Sequence, residues 1–292
     1  GDAVLFERGG VYRGTFTVTS GVSYGAYGSG AKPCIYGSNQ NYAKPLLWNS
    51  TETANVWKIS VPSTADIGNI VFDQGINCGW KKTSNNLSND FEFFHDVGNE
   101  LLYLYLSSGN PGVVYDDIEF CINGQIIEGV AETKNVLIEN LCLKFVGGHG
   151  IVFKTGAENI TVQGCDVGYC GGSMLNASVR YGNGIEFVDK CKNIDIKNNW
   201  VYQCYDAGIT HQSSNAEGCV QEDITISGNL VEYCSYNIEY YVDAKNGTIK
   251  NTLYENNILR FAGYGFGSVN RIGSDDSRLS NINNYLRKIP CE

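Results

Sequence analysis

The chain has 292 residues, with 31 acidic against 21 basic side chains and a formal net charge of −10. Such a surface repels a phosphate backbone, so nucleic acid is not an expected partner, and no apolar run is long enough to predict a membrane span. Thirty-five glycines against 5 prolines and 1 methionine, with 19 tyrosines and 12 phenylalanines, describe a β-rich, turn-rich chain long enough to bury a large core.

Residues 1–37 alternate apolar side chains (Val4, Phe6, Val11, Phe16, Val18, Tyr24) with glycine-punctuated turns, the pattern of short successive strands. The rhythm breaks over residues 38–117. There VWKISV, IGNIVFDQG and the hairpin-like FEFFHDVGNELLYLYL, turning at DVGNE, predict an inserted antiparallel β module, since the segment is too long and too strand-rich for a loop. The first rhythm resumes at DIEFCING and fills residues 118–292.

Five phrases there align: GIVFK from Gly150, GIEFV from Gly184, GITHQ from Gly208, NIEYY from Asn237 and GFGSV from Gly265. Period-two alternation sends Ile151, Ile185, Ile209, Ile238 and Phe266 to one face, together with Phe153, Phe187, His211, Tyr240 and Ser268. Val152, Glu186, Thr210, Glu239 and Gly267 go to the other, expected to face solvent. A second alignment puts Asn140, Cys165, Asn199, Asn229, Asn257 and Asn284 in one turn column, at intervals of 25, 34, 30, 28 and 27 residues. Repeats of that length, with several short strands and no helical period, predict a solenoid of stacked coils.

The repeated strand phrases and the Asn column resemble right-handed parallel β-helix proteins of the pectin-lyase-like superfamily, over at least residues 118–292. The phrases LFERGGVYRG and SGVSYGAYG look like the first coils of bacterial carbohydrate-active members. The resemblance implies an all-β fold, a right-handed parallel β-helix (solenoid) with the 38–117 module inserted, and a carbohydrate partner. Eleven cysteines lack zinc spacing, and Cys170, Cys204 and Cys234 share a column, which predicts reduced core thiols. Those thiols fit a reducing cytoplasm, whereas polymer-degrading β-helix proteins are often exported; both compartments stay open, as does the oligomeric state.

Coils spaced by ~4.8 Å put the backbones of Glu186 and Glu239 ~10 Å apart across Thr210. Glycoside hydrolysis needs one carboxylic acid at the leaving oxygen and one carboxylate acting on water or the anomeric carbon, so Glu186, Asp206 and Glu239 are the candidate catalytic groups. Arg180, Tyr181, Asn183, Thr210, Gln212, Tyr236, Tyr241 and His149 are the candidate substrate-binding residues, offering flat ring faces and hydroxyl-binding groups. His211 falls in an inward aromatic column and is expected to be a hydrogen-bonded core residue, and His95 belongs to no constellation. A hydrolase needs no cofactor or metal. Two alternatives remain open: a polysaccharide lyase in which carboxylates hold Ca²⁺ against a uronate and Arg180 takes the proton, and a non-catalytic glycan-binding solenoid.

Overall fold

The computed structural model describes residues 1–269, apart from positions 177, 214–216, 243, 244 and 246. From Gln125 onward the chain visits three sheets in turn. Gln125–Gly129 lies in the first, Lys134–Glu139 in the second and Cys142–Val146 in the third. The next pass repeats the circuit with His149–Phe153, Ala157–Gln163 and Asp166–Cys170, and the passes continue to Ile258–Arg260. Strands of successive passes pair in parallel in all three sheets. The protein is all-β in character, built mainly from these parallel sheets.

The alternation in the sequence sets what each strand buries. Ile127, Ile151, Ile185, Ile209 and Ile238 stand opposite one another in the first sheet, and all five are buried. A β-branched side chain fits the pleated surface, and burying each stabilises the fold by ~1.5–3 kcal/mol. Two positions on, Phe153 and Phe187 stack at 5.1 Å with rings nearly parallel, and His211 follows in register. Tyr240, next in that column, is 44% exposed instead of inward. Cys170, Cys204 and Cys234 fill the same core, fully buried and free, and the described residues contain no disulfide.

Two neighbouring turn columns explain the asparagines. Asn140, Gly164, Asn198, Gly228 and Asn256 all have φ between 55° and 64°, the left-handed region that only glycine and asparagine enter at little cost. One residue later, Asn199, Asn229 and Asn257 turn their amides inward and bond in series. Asn199 Nδ2 donates to Asn229 Oδ1 at 3.0 Å, and Asn229 Nδ2 donates to Asn257 Oδ1 at 2.9 Å. The strand register puts Leu141, not Asn140, beside Cys165 in this column. The sequence alignment slipped by one because asparagine recurs in both columns for different reasons. Asn284, its last member, lies outside the described residues.

Asn229 is the most connected member, since it also donates to Ile196 O and accepts from Asn199 N, both at 2.9 Å. Asn229→Ala leaves these buried groups without partners, and is expected to cost ~2–4 kcal/mol in urea unfolding with the m-value unchanged. A loss below ~1 kcal/mol would mean that the amide series contributes little.

Residues 1–37 stack directly on the main passes. Phe16–Thr17 pairs with Ile127–Glu128, Ser23–Tyr24 with Leu137–Ile138, and Cys34–Tyr36 with Cys142–Lys144. Between them in sequence, Val56–Ser60, Glu92–Asp96 and Leu101–Tyr105 form an antiparallel sheet, packed over a core that includes Tyr42, Trp48, Ile59, Phe93 and Leu102. That core extends past residue 117, because Ile118 and Phe120 belong to it. Ile118–Ile122 pairs antiparallel with Ile67–Phe72 and meets the parallel passes at Ile122 beside Val146.

The phrase GFGSV is not a fifth strand. Phe266–Val269 is a single helical turn, with the Phe266 ring 6.1 Å from that of Tyr205. Its glycines serve close backbone approach: a Cβ on Gly265 would sit 1.8 Å from Tyr233 O, and one on Gly267 2.2 Å from Tyr205 O. Glycines spaced for contact here imitate the glycines that precede the true strands.

A candidate carboxylate site on the first sheet

Ile185–Val188, Ala207–Ser213 and Tyr236–Val242 run side by side, with Glu186 opposite Thr210 and Thr210 opposite Glu239. The row expected from the sequence is therefore real in register, but its environment differs from the solvent face expected. Val152 and Thr210 are wholly buried and Glu186 is 3% exposed, while Glu239 is half-buried. Three polar side chains close around Glu186, and that is why a carboxylate survives there.

His149 Nδ1 lies 2.7 Å from Glu186 Oε2. Asn183 Nδ2 donates to the same oxygen at 3.1 Å, and Gln212 Nε2 donates to Oε1. Burial alone would raise this carboxyl's pKa, but the His149 charge and the three donors more than offset it and bring it down to about 2. These contacts favour the ionised form of Glu186 at neutral pH. Two donors saturate Oε2, whereas Oε1 keeps one lone pair free for a further donor such as water.

The partners are themselves held. Asn183 Oδ1 accepts from Ala207 N at 2.7 Å, so one amide links Glu186 to the next strand. Asn183 N also points at His149 Nδ1 from 3.2 Å. One ring nitrogen cannot donate to a carboxylate and accept from an amide at once; the shorter, charge-assisted contact puts the proton on Nδ1. Tyr181 packs edge-on against His149 with ring centroids 5.0 Å apart and donates its hydroxyl to Asn123 Oδ1 at 2.6 Å. Burial, with the Glu186 and Asp66 charges, raises the Tyr181 phenol.

Glu239 Oε2 accepts from Thr210 Oγ1 at 3.3 Å. Asp206, half-buried, stands at the entrance to the middle strand, its N–H on Gly182 O and its carbonyl accepting from Ser235 N and Tyr236 N. Tyr236 and Tyr241 are half-buried on the outermost strand, with Tyr241 beside Gln212.

Arg180 has a different place from the one expected. It is buried, donating through Nε to Gly172 O at 2.6 Å and through Nη2 to Gly68 O at 3.0 Å, with its guanidinium 4.5 Å from the Tyr205 ring centroid. It clasps the antiparallel pair Ser173–Met174 and Arg180–Tyr181 to the strand Ile67–Phe72. His211, 1% exposed, binds Gln221 Oε1 through Nδ1 at 2.8 Å and Tyr254 Oη through Nε2 at 2.5 Å. Gln221 Nε2 donates to Asp189 O, so Oε1 must accept and His211 is the neutral Nδ1–H tautomer; burial lowers its pKa. Sequence reasoning missed a second polar cluster. Asp66 bonds Lys81 Nζ and Met174 N, with His95 Nδ1 3.6 Å away. The lone charged residues of the 38–117 segment carried no periodic signal to expose it.

Among the described residues no three His, Cys, Asp or Glu side chains converge as a metal site, and no helix is long and apolar enough to cross a membrane. No family model and no curated protein matches the chain. A solved structure named "Glycoside hydrolase" is similar over 87% of this chain and 89% of its own, with 8% identity and a TM-score of 0.34. Nothing about the site transfers at that similarity.

Proposed function

We propose that the protein is a carbohydrate-active glycoside hydrolase whose three parallel sheets form a right-handed parallel β-helix, with residues 38–117 inserted and the amides of Asn199, Asn229 and Asn257 as its ladder. Right-handedness follows the strong rule for parallel crossovers. The observation that carries the function is the Glu186–Thr210–Glu239 row: one carboxylate held ionised by His149, Asn183 and Gln212, and a second, more exposed one two strands away.

Each carboxylate has a partner on the strand between them. Gln212 donates to Glu186 and Thr210 to Glu239, both from Ala207–Ser213, while His149 holds the other Glu186 oxygen from the strand on its far side. Backbones two strand spacings, ~10 Å, apart suit the ~6.5–9.5 Å carboxyl separation of inverting glycosidases, and inversion is the stereochemistry this reading takes. The exposures suit those roles. An inverting base touches only water, and Glu186 is the more enclosed of the two. The acid must reach the glycosidic oxygen, and Glu239 is the more open of the two. Contacts that hold Glu186 in its ionised form suit it to the base and not to the acid. Tyr241, two residues on from Glu239 and on the same strand face, offers a ring face for sugar, and Tyr236, Asp206 and Tyr181 border the row.

Arg180 favours hydrolysis over β-elimination, since it is buried with its Nε and Nη2 donating to the carbonyls of Gly172 and Gly68. The test is incubation with a panel of plant and host polysaccharides and their oligosaccharides. Release of reducing ends without the ultraviolet absorbance of unsaturated uronates is expected. That absorbance would instead establish a lyase, and binding without turnover a glycan-binding protein.

A further inference from the structure

Cys34 and Cys142 stand directly opposite each other on neighbouring parallel strands, Cys34–Tyr36 and Cys142–Val146. Strand spacing of ~4.8 Å puts such a pair inside the ~4.4–6.8 Å range of Cα separations that a disulfide spans. Their neighbours Ile35 and Leu143 point into the core, so alternation turns both thiols to the outer face. Cys142 is buried at 6% exposure, whereas Cys34 is half-buried and open to small solutes.

We propose that Cys34 and Cys142 form an oxidant-sensitive dithiol, with Cys34 as the thiol that a hydroperoxide attacks and Cys142 as the one that resolves it. The Cys34 thiolate takes the terminal oxygen of the hydroperoxide; the O–O bond breaks, Cys34 becomes a sulfenic acid, and the departing alkoxide or hydroxide takes a proton from water. Cys142 sulfur then attacks Cys34 sulfur. The S–S bond forms, the S–O bond breaks, and the thiol proton leaves with the hydroxide as water. Two thiols are oxidised and one hydroperoxide is reduced.

The surroundings divide these labours. A hydrogen bond from Cys142 lowers the Cys34 pKa to about 6, against burial and with help from Tyr36 and Lys144. The same contact, with burial, raises Cys142. Asp166, opposite Cys142 on the next strand, is ion-paired with Lys32 at 2.6 Å. The protein carries its own comparison: Cys170 and Cys204 are also opposite in register, yet both are fully buried, and burial raises Cys204 far above the ordinary thiol range. Registered cysteines alone do not make the site; access and charge do.

The disulfide would staple residues 1–37 to the main passes across the 38–117 segment. Its test is exposure of the reduced protein to stoichiometric hydrogen peroxide, followed by peptide mapping without reductant. A Cys34–Cys142 link, reversed by dithiothreitol, is expected to form while Cys170 and Cys204 stay reduced, with Tm rising by several degrees. In Cys142→Ser protein, which keeps a donor beside the Cys34 sulfur but has no resolving thiol, Cys34 should accumulate as a sulfenic acid trapped by dimedone. Linkage of another pair first, or oxidation of Cys34 no faster than of the buried thiols, would overturn the proposal.

Discussion

Glu239→Gln lowers kcat on a cleaved glycan by ~10²–10⁴-fold, the usual contribution of a positioned general acid, and leaves the fold intact. Glutamine keeps an oxygen for Thr210 Oγ1 but has no proton to give the leaving oxygen. Glu186→Gln brings a loss of the same order, because the amide cannot take the proton of the attacking water. The two variants separate by substrate: a glycoside with a good leaving group needs no acid, so it restores much of the rate to Glu239→Gln and little to Glu186→Gln. Activity above a tenth of wild type in either variant, measured as initial rates on folded protein, would remove that residue from the chemistry.

Acidification exposes the second large effect. A carboxylate moved from its ordinary 4.5 to about 2 carries about 3 kcal/mol of stability at neutral pH. Because the folded-state value is the lower one, that stability is complete above the unfolded pKa and is lost as pH falls from about 4.5 through about 2. Glu92, also brought to about 2, titrates in the same window, so the acid transition does not vanish when Glu186 is changed. Urea unfolding at pH 7 and at pH 3 should nonetheless show Glu186→Gln losing less stability on acidification than wild type, by one to a few kcal/mol. Equal losses would mean that the His149, Asn183 and Gln212 contacts do not hold the ionised form.

The strand columns were legible because alternation of period two records which face is buried, and Ile151, Ile185, Ile209 and Ile238 repeat that record at each pass. The Glu186–Thr210–Glu239 row followed from the same register. The sequence concealed whatever depends on side-chain direction between passes. His149 and Glu186 are 37 residues apart, and nothing in GGHG or GIEF announces a 2.7 Å contact. Arg180 is a candidate substrate-binding residue by sequence, but the antiparallel pairing of Ser173–Met174 with Arg180–Tyr181 aims it at Gly68 and Gly172. Glycine and asparagine misled twice, at Asn140 and at GFGSV, where one residue type serves a left-handed turn or a close approach as readily as a repeat position.

The spacing of Glu186 and Glu239 across Thr210 is read out most directly by the anomeric configuration of the first product, followed by proton NMR during early hydrolysis. Carboxylates carried on strands two spacings, ~10 Å, apart predict inversion, with the new hemiacetal appearing first as the opposite anomer to the glycoside. First-formed product of retained configuration would require carboxyl groups ~5 Å apart and would contradict this pair.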